Sequence, residues 1–268
     1  MAHRILINRL FSTAFNSAEA EVKKTAKPDY KVMLICVIVA FCLTMIKYLG
    51  EYSFLLSFLK NIGLTDFSNS FENLMTTNSN SGLYRLIYWA SNVIFFYLVP
   101  PFILIKFVFK EKFSDYGLSL KGAFKDYWIY VFMLCVMIPL VLFFSRTESF
   151  QARYPFYDVK KGEPFYPHLF TWEIVYFVQF FALEFFFRGF LLHGTKQQFG
   201  YYSVFVMTIP YCMIHFGKPL PETIAAIIAG IVLGTLSLKS RSIWLGVAIH
   251  FSVAVTMDLC SLWQKGLF

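Results

Sequence analysis

The stretch Phe180-Phe181-Ala182-Leu183-Glu184-Phe185-Phe186-Phe187-Arg188-Gly189 sets an acid and a base four positions apart inside an otherwise apolar run. On a helix that spacing puts both side chains on one face, where an ion pair follows naturally. The run extends from Trp172 to His193, within the roughly 17 to 25 residues that a bilayer demands of a spanning helix. An ionised group at such depth costs several kcal/mol unless it is paired or faces a wet cavity, so Glu184 and Arg188 mark a functional site as well as a span.

Other apolar runs lie on both sides of it: Val32 to Tyr48, Leu86 to Ile105, Tyr127 to Phe144, the shorter Tyr201 to Phe216, Thr223 to Leu238, and Ile243 to Leu262. With 57% hydrophobic, 20% aromatic and 15% charged residues and a mean hydropathy of +0.58, the chain is far more apolar than a soluble domain. The expected fold class is therefore all-α, a polytopic transmembrane helical bundle of about seven spans. No fixed-period repeat and no second, soluble domain is visible. The organisation reads as an N-terminal segment over 1–31, N-terminal transmembrane helices over 32–110 and a membrane core over 111–268.

The net charge of +8 does not imply nucleic acid, because the basic residues are distributed by loop rather than clustered on one soluble domain. Arg4, Arg9, Lys23, Lys24, Lys27 and Lys31 precede the first run, and Lys106, Lys110, Lys112, Lys121 and Lys125 lie between the second and third. Both segments read as cytoplasmic. The expected placement is an integral protein of a bacterial cytoplasmic membrane, N-terminus inside and C-terminus outside; Arg146, Arg153, Lys160 and Lys161 fit that orientation less well.

Residues 1 to 20 are too interrupted for a secretory signal and suit a cytoplasmic surface helix. Asp66 to Gly82, rich in Ser, Asn and Thr, has the composition of a mobile loop. Tyr154-Pro155-Phe156-Tyr157 and Pro164-Phe165-Tyr166-Pro167 interleave proline with aromatics, as a structured segment at headgroup depth would. Cys36, Cys42, Cys135, Cys212 and Cys260 lack paired spacing and read as small apolar packers.

Two more apolar runs carry a histidine each. Measured at 1.5 Å rise per residue, His215 and His250 sit about 12 to 21 Å from the cytoplasmic end, and Glu184 about 18 Å from it. Three helices can thus bring these groups to one depth. Either histidine alone reads most simply as a hydrogen-bonded packing residue, and Glu184 with Arg188 alone as a self-neutralised pair. Together the four can activate a water and stabilise an oxyanion, or bind a metal. The metal is the weaker reading, since no His-Glu-x-x-His helix is present and Arg188 competes for the carboxylate. His193, nine residues beyond Glu184, is an outlying extra ligand. No metal and no cofactor are expected.

At these residues the chain resembles the CAAX prenyl endopeptidase and bacteriocin-processing family of intramembrane proteases, also called the Abi family. The likeness rests on Glu184 to Gly189, on Tyr211-Cys212-Met213-Ile214-His215, and on Arg241 through His250, and covers roughly residues 115 to 262, with Tyr116-Gly117-Leu118 and the pair Gly230 and Gly234. It implies a water-mediated endopeptidase, with Glu184 and His215 as the water-activating pair, His250 as oxyanion stabiliser and Arg188 orienting Glu184. The implied partners are a peptide or protein substrate at the membrane and the lipid bilayer.

The family pattern has two adjacent glutamates before the arginine, a phenylalanine four positions before the first histidine, and an asparagine four after the second. Here Leu183, Tyr211 and Ala254 stand at the first glutamate, the phenylalanine and the asparagine. Leucine cannot accept a proton and alanine cannot donate a hydrogen bond. Three readings follow: a protease in a variant arrangement, a catalytically inactive relative that binds a membrane partner or peptide, and a proton-relay or transport protein, against which the lack of an inverted repeat counts. Asp258, too far along the helix to replace the asparagine, reads as a polar residue near the outer end of the last span.

Overall fold

Alternation of long apolar runs with short polar breaks produces a bundle of antiparallel helices. A computed structural model describes residues 12–16, 19, 20, 22, 29–124 and 126–268. The long helices are α1 (Tyr30–Leu49), α2 (Tyr52–Asn61), α3 (Thr65–Thr76), α4 (Ser81–Ile103), α5 (Tyr127–Phe144), α6 (His168–Glu184), α7 (Ser203–Met213), α8 (Leu220–Ser240) and α9 (Trp244–Gln264). Among the described residues there is no strand, only an isolated bridge between Leu118 and Ser242.

Six stretches among the described residues are long and apolar enough to cross a membrane. The fourth, His168–Met213, contains one of the seven expected runs, Trp172 to His193, and most of the next, Tyr201 to Phe216. It continues from α6 through a π-helical segment, Phe185–His193, and a last α-helical piece, Gly194–Phe199. There the chain reverses at Gly200, whose φ of 53° is left-handed backbone that glycine adopts without penalty. The Phe187 and Tyr211 rings consequently meet, centroids 5.5 Å apart. The expected fifth run is therefore α7, whose 11 residues rise only about 16 Å, short of the ~30 Å hydrocarbon core. Turns through Lys218 carry the chain on to α8.

The two ends of the bundle are fixed by different contacts. At one end Lys31 pairs with Glu111 at 2.6 Å, Ile243 N donates to Gly117 O at 3.0 Å, and Lys239 pairs with Asp126 at 3.0 Å. At the other, Tyr88 Oη donates to Leu49 O at 2.6 Å and Lys265 Nζ to Tyr154 O at 2.7 Å. The first end holds Lys31 of α1 together with the basic residues Lys106, Lys110 and Lys112 that follow α4.

The segment Asp66 to Gly82 departs from expectation. It is mostly helix, α3, packed on α2 and α4 through buried Ser68 and Met75 and a Phe71–Tyr88 ring contact at 5.5 Å. Apolar residues recur among its Ser and Asn at helical spacing, and tertiary packing of that stripe outweighs the loop-like composition. The surface helix expected in 1–20 lies largely outside the described residues; 12–16 are helical, with Ala14 buried and Phe15 edge-on to Tyr201 at 5.9 Å.

The segment between α5 and α6 is tied down on all sides. Phe156 stacks on Trp89 at 5.8 Å, Arg153 lies 5.0 Å over Phe156, and Ser261 Oγ donates to the Tyr154 carbonyl. Glu163 accepts from Tyr157 Oη at 2.6 Å and from His168 Nδ1 at 2.9 Å. The Tyr157 hydrogen bond first, and His168 with it, hold its carboxyl down to about 2. Cys42 and Cys260 pack inside the bundle, whereas Cys36 and Cys135 are exposed on it, so the packing role expected of all five does not extend to those two.

The largest core cluster runs from Ile35 and Val39 of α1 through Phe96 and Tyr97 of α4 to Phe185, Phe186, Phe187 and Phe190. The π-helical segment that carries Arg188 is thus the hub, with every residue from Phe185 to His193 buried, whereas α5 buries only Tyr130 and Val141.

Candidate active site

Glu184 ends α6, and the π-helical segment that follows widens the backbone where Arg188 sits. Such π segments often lie at functional sites. Arg188 Nη1 donates to Glu184 Oε1 at 2.9 Å, and both side chains are buried. The rest of the guanidinium lies against the ring of Tyr211, Cζ 3.9 Å from its centroid. This contact makes the phenol ring of α7 a wall of the cation's site.

His250 on α9 reaches the same carboxylate oxygen, Nδ1 to Oε1 at 2.5 Å. Gly246, one turn earlier on α9, makes this possible: a Cβ there would stand 2.6 Å from Glu184 Oε2. Glycine at 246 and histidine at 250 share a face, so one gives the carboxylate room and the other binds it. Glu184 Oε2 has no hydrogen-bond partner among the described residues. The far nitrogen, His250 Nε2, lies 2.8 Å from Tyr211 Oη, and Phe180 stacks on the imidazole at 5.4 Å.

His215 follows α7 and lies at the other end of this chain of contacts. Its Nδ1 is 2.8 Å from the Tyr211 carbonyl, and its ring meets the Tyr211 ring at 4.9 Å. A carbonyl only accepts, so Nδ1 carries the proton and Nε2 is left with a free lone pair. Close packing of α7 on α8 holds that position. Gly230 faces Thr208 and Gly234 faces Met207 so closely that added Cβ atoms would stand 2.9 and 3.0 Å away, the small-residue approach their spacing suggests.

The four residues singled out in the sequence are brought together, but not in the pairing expected. Glu184 contacts Arg188 and His250; His215 joins only through Tyr211. The reason is geometric: α9 covers Glu184 through Gly246, and Tyr211 stands between that carboxylate and His215. His193 stays apart, its Nε2 3.1 Å from Ser237 Oγ near Gly117. Asp258 lies in the last two turns of α9, as its reading near the end of that span has it, and is buried beside Glu173 and Trp172. Among the described residues no group of three His, Cys, Asp or Glu side chains is placed to hold a metal.

Tyr211, His215 and His250 line a cavity of about 340 Å³ between α5, α8 and α9. Its walls are apolar, with Met133, Met137, Ile249 and Ala254 among them. Val136 and Leu140 of α5 and Ile228 of α8 line it and are also exposed, so it opens to the outside of the bundle between those helices. Glu184 does not line it. At one end of the cavity stands Glu222, a residue that sequence reading did not single out. It accepts from Lys218 Nζ at 2.7 Å and from Tyr154 Oη at 2.7 Å. Burial, with Tyr176 and Glu222 close by, raises the Tyr154 hydroxyl, keeping it a neutral donor. An acid in the first turn of a helix after Pro219 and Pro221 reads as an ordinary helix start, which is why Glu222 gave no signal.

Residues 165–256 match the family model described as Type II CAAX prenyl endopeptidase Rce1-like. The matched stretch is narrower than the resemblance read from the sequence and takes in Glu184, Arg188, Tyr211, His215 and His250. It supports assigning this membrane core to the CAAX prenyl endopeptidase and bacteriocin-processing family. No curated protein and no solved structure matches the chain.

Proposed function

We propose that this chain, an integral membrane protein whose core is assigned to that protease family, is an intramembrane endopeptidase that hydrolyses a peptide bond in the cavity between α5, α8 and α9. The observation that carries the reading is the free Nε2 of His215 on the wall of an apolar cavity that opens to the outside of the bundle. In this arrangement His215 is the base. It takes a proton from water as the water oxygen bonds to the scissile carbonyl carbon, and returns that proton to the leaving nitrogen when the C–N bond breaks. Glu184, held by Arg188, orients His250 and does not itself touch the water. The basic end of the bundle, with Lys31, Lys106, Lys110, Lys112 and Lys121, faces the cytoplasm under this reading. The substrate is a peptide or membrane-protein segment that enters between α5 and α8.

The test is cleavage of a broad peptide library by purified, detergent-solubilised protein, with His215→Ala alongside and with added chelator. General-base removal should lower turnover by about 10² to 10⁴ while the chelator leaves it unchanged. One observation favours a second reading. The sole carboxylate of the Glu184 motif is spent on Arg188 and His250 and kept from the cavity, as a protein that binds a peptide without cutting it would tolerate. Folded wild-type protein that cleaves nothing in the library, yet binds some of its members, would decide for that alternative.

A further inference from the structure

The geometry points to the phenolic hydroxyl of Tyr211 as the group that stabilises the oxyanion in this cavity, a role that would otherwise fall to His250 and a side chain at position 254. The inference rests on the hydrolytic reading above and adds a catalytic residue to it. Three observations converge on the hydroxyl. His250 Nε2 is occupied by Tyr211 Oη at 2.8 Å, so the imidazole is not free to donate to a carbonyl in the cavity that both side chains line. Ala254, one turn beyond His250 on the same face of α9, also lines the cavity and has nothing to donate. The phenol ring is held in place by Arg188, with Cζ 3.9 Å from its centroid, and by Phe187 in edge contact at 5.5 Å.

The proton arrangement follows from the partners. Glu184 Oε1, 2.5 Å from His250 Nδ1, accepts from it in either protonation state of the ring. When the ring carries both protons, Nε2–H donates to Tyr211 Oη and the phenolic O–H is released to point into the cavity. As the water oxygen bonds to the carbonyl carbon, the carbonyl oxygen takes the electron pair and accepts that O–H. When the C–N bond breaks, the pair returns to re-form the carbonyl, and His215 protonates the leaving nitrogen. A donor aimed at the developing oxyanion acts only in the transition state, so its loss should appear in kcat rather than in KM. The bond to His250 from behind gives Tyr211 a fixed direction, the preorganisation that such a donor needs.

The experiment is a steady-state comparison of full-length wild type, Tyr211→Phe and the double variant Tyr211→Phe/Ala254→Asn, on a peptide that the wild type cleaves. Phenylalanine keeps the ring against Arg188, and a monodisperse elution profile with an unchanged unfolding temperature establishes that each variant is folded. Tyr211→Phe should lose about 10² to 10³ in kcat with KM within about twofold, and asparagine at 254 should recover at least about tenfold by supplying an N–H from the neighbouring turn. Full activity in Tyr211→Phe overturns the assignment while leaving the hydrolytic reading intact. So does a loss that falls on KM, or one that asparagine at 254 does not recover, for then Tyr211 only positions His250. A wild type that cleaves no peptide overturns this assignment together with the reading on which it rests.

Discussion

Glu184–Arg188 and Lys218–Glu222 are both acid–base pairs four residues apart, closed at 2.9 and 2.7 Å, yet they live in different solvents. The first is sealed, its side chains no more than 1% exposed, between α6, α7 and α9. The second stands at the end of the cavity with its side chains 20% and 18% exposed. Spacing on a helix sets whether two charges can meet; what packs over them sets what the meeting is worth. A sealed pair has surrendered its hydration and depends on every partner, whereas a half-wet pair can exchange its partner for water.

The sharpest way to break that contrast is to remove one charge from each. Glu184→Ala leaves Arg188 buried without a counter-charge and should cost about 3 to 5 kcal/mol of stability, read as a large fall in unfolding temperature of the detergent-solubilised protein. The matching change at the cavity, Glu222→Gln, should cost no more than about 1 kcal/mol. Equal losses for the two would show that the cavity end is as sealed as the core. Between these extremes lies Gly246→Ala. The new methyl would stand 2.6 Å from Glu184 Oε2, and the overpacking should cost about 1 to 3 kcal/mol. Because the clash pushes the carboxylate off His250, turnover should fall along with stability. An alanine variant with wild-type activity would mean that the Glu184–His250 contact does not matter to the chemistry.

How far the sequence could be read depended on the kind of interaction. Spans were legible because a bilayer imposes length and hydropathy locally, residue by residue, and even the short fifth run announced itself in Tyr201 to Phe216. Asp66 to Gly82 was not legible as helix: its Ser and Asn side chains can serve a loop or a helix surface equally, and only contact with α2 and α4 selects the helix. Glu184, Arg188, His215 and His250 stood out because polar groups in apolar runs are costly. Glu222 did not, since an acid at a helix start is ordinary.

The sequence by itself determined that the chain is an all-α membrane bundle and which four polar residues stand out in its apolar runs, because the cost of dehydrating a charge or a backbone amide is a property of each segment alone. Only the tertiary structure decided who pairs with whom. It placed Gly246 against Glu184, drew His250 onto that carboxylate, and set Tyr211 between His250 and His215, with the carboxylate inside the protein and the two imidazoles on the cavity wall. Helical rise fixes how deep a side chain lies, but the direction it faces depends on how α6, α7 and α9 are rotated against one another. That rotation is set by close packing at a few small residues, with no counterpart in the periodicity of any single helix.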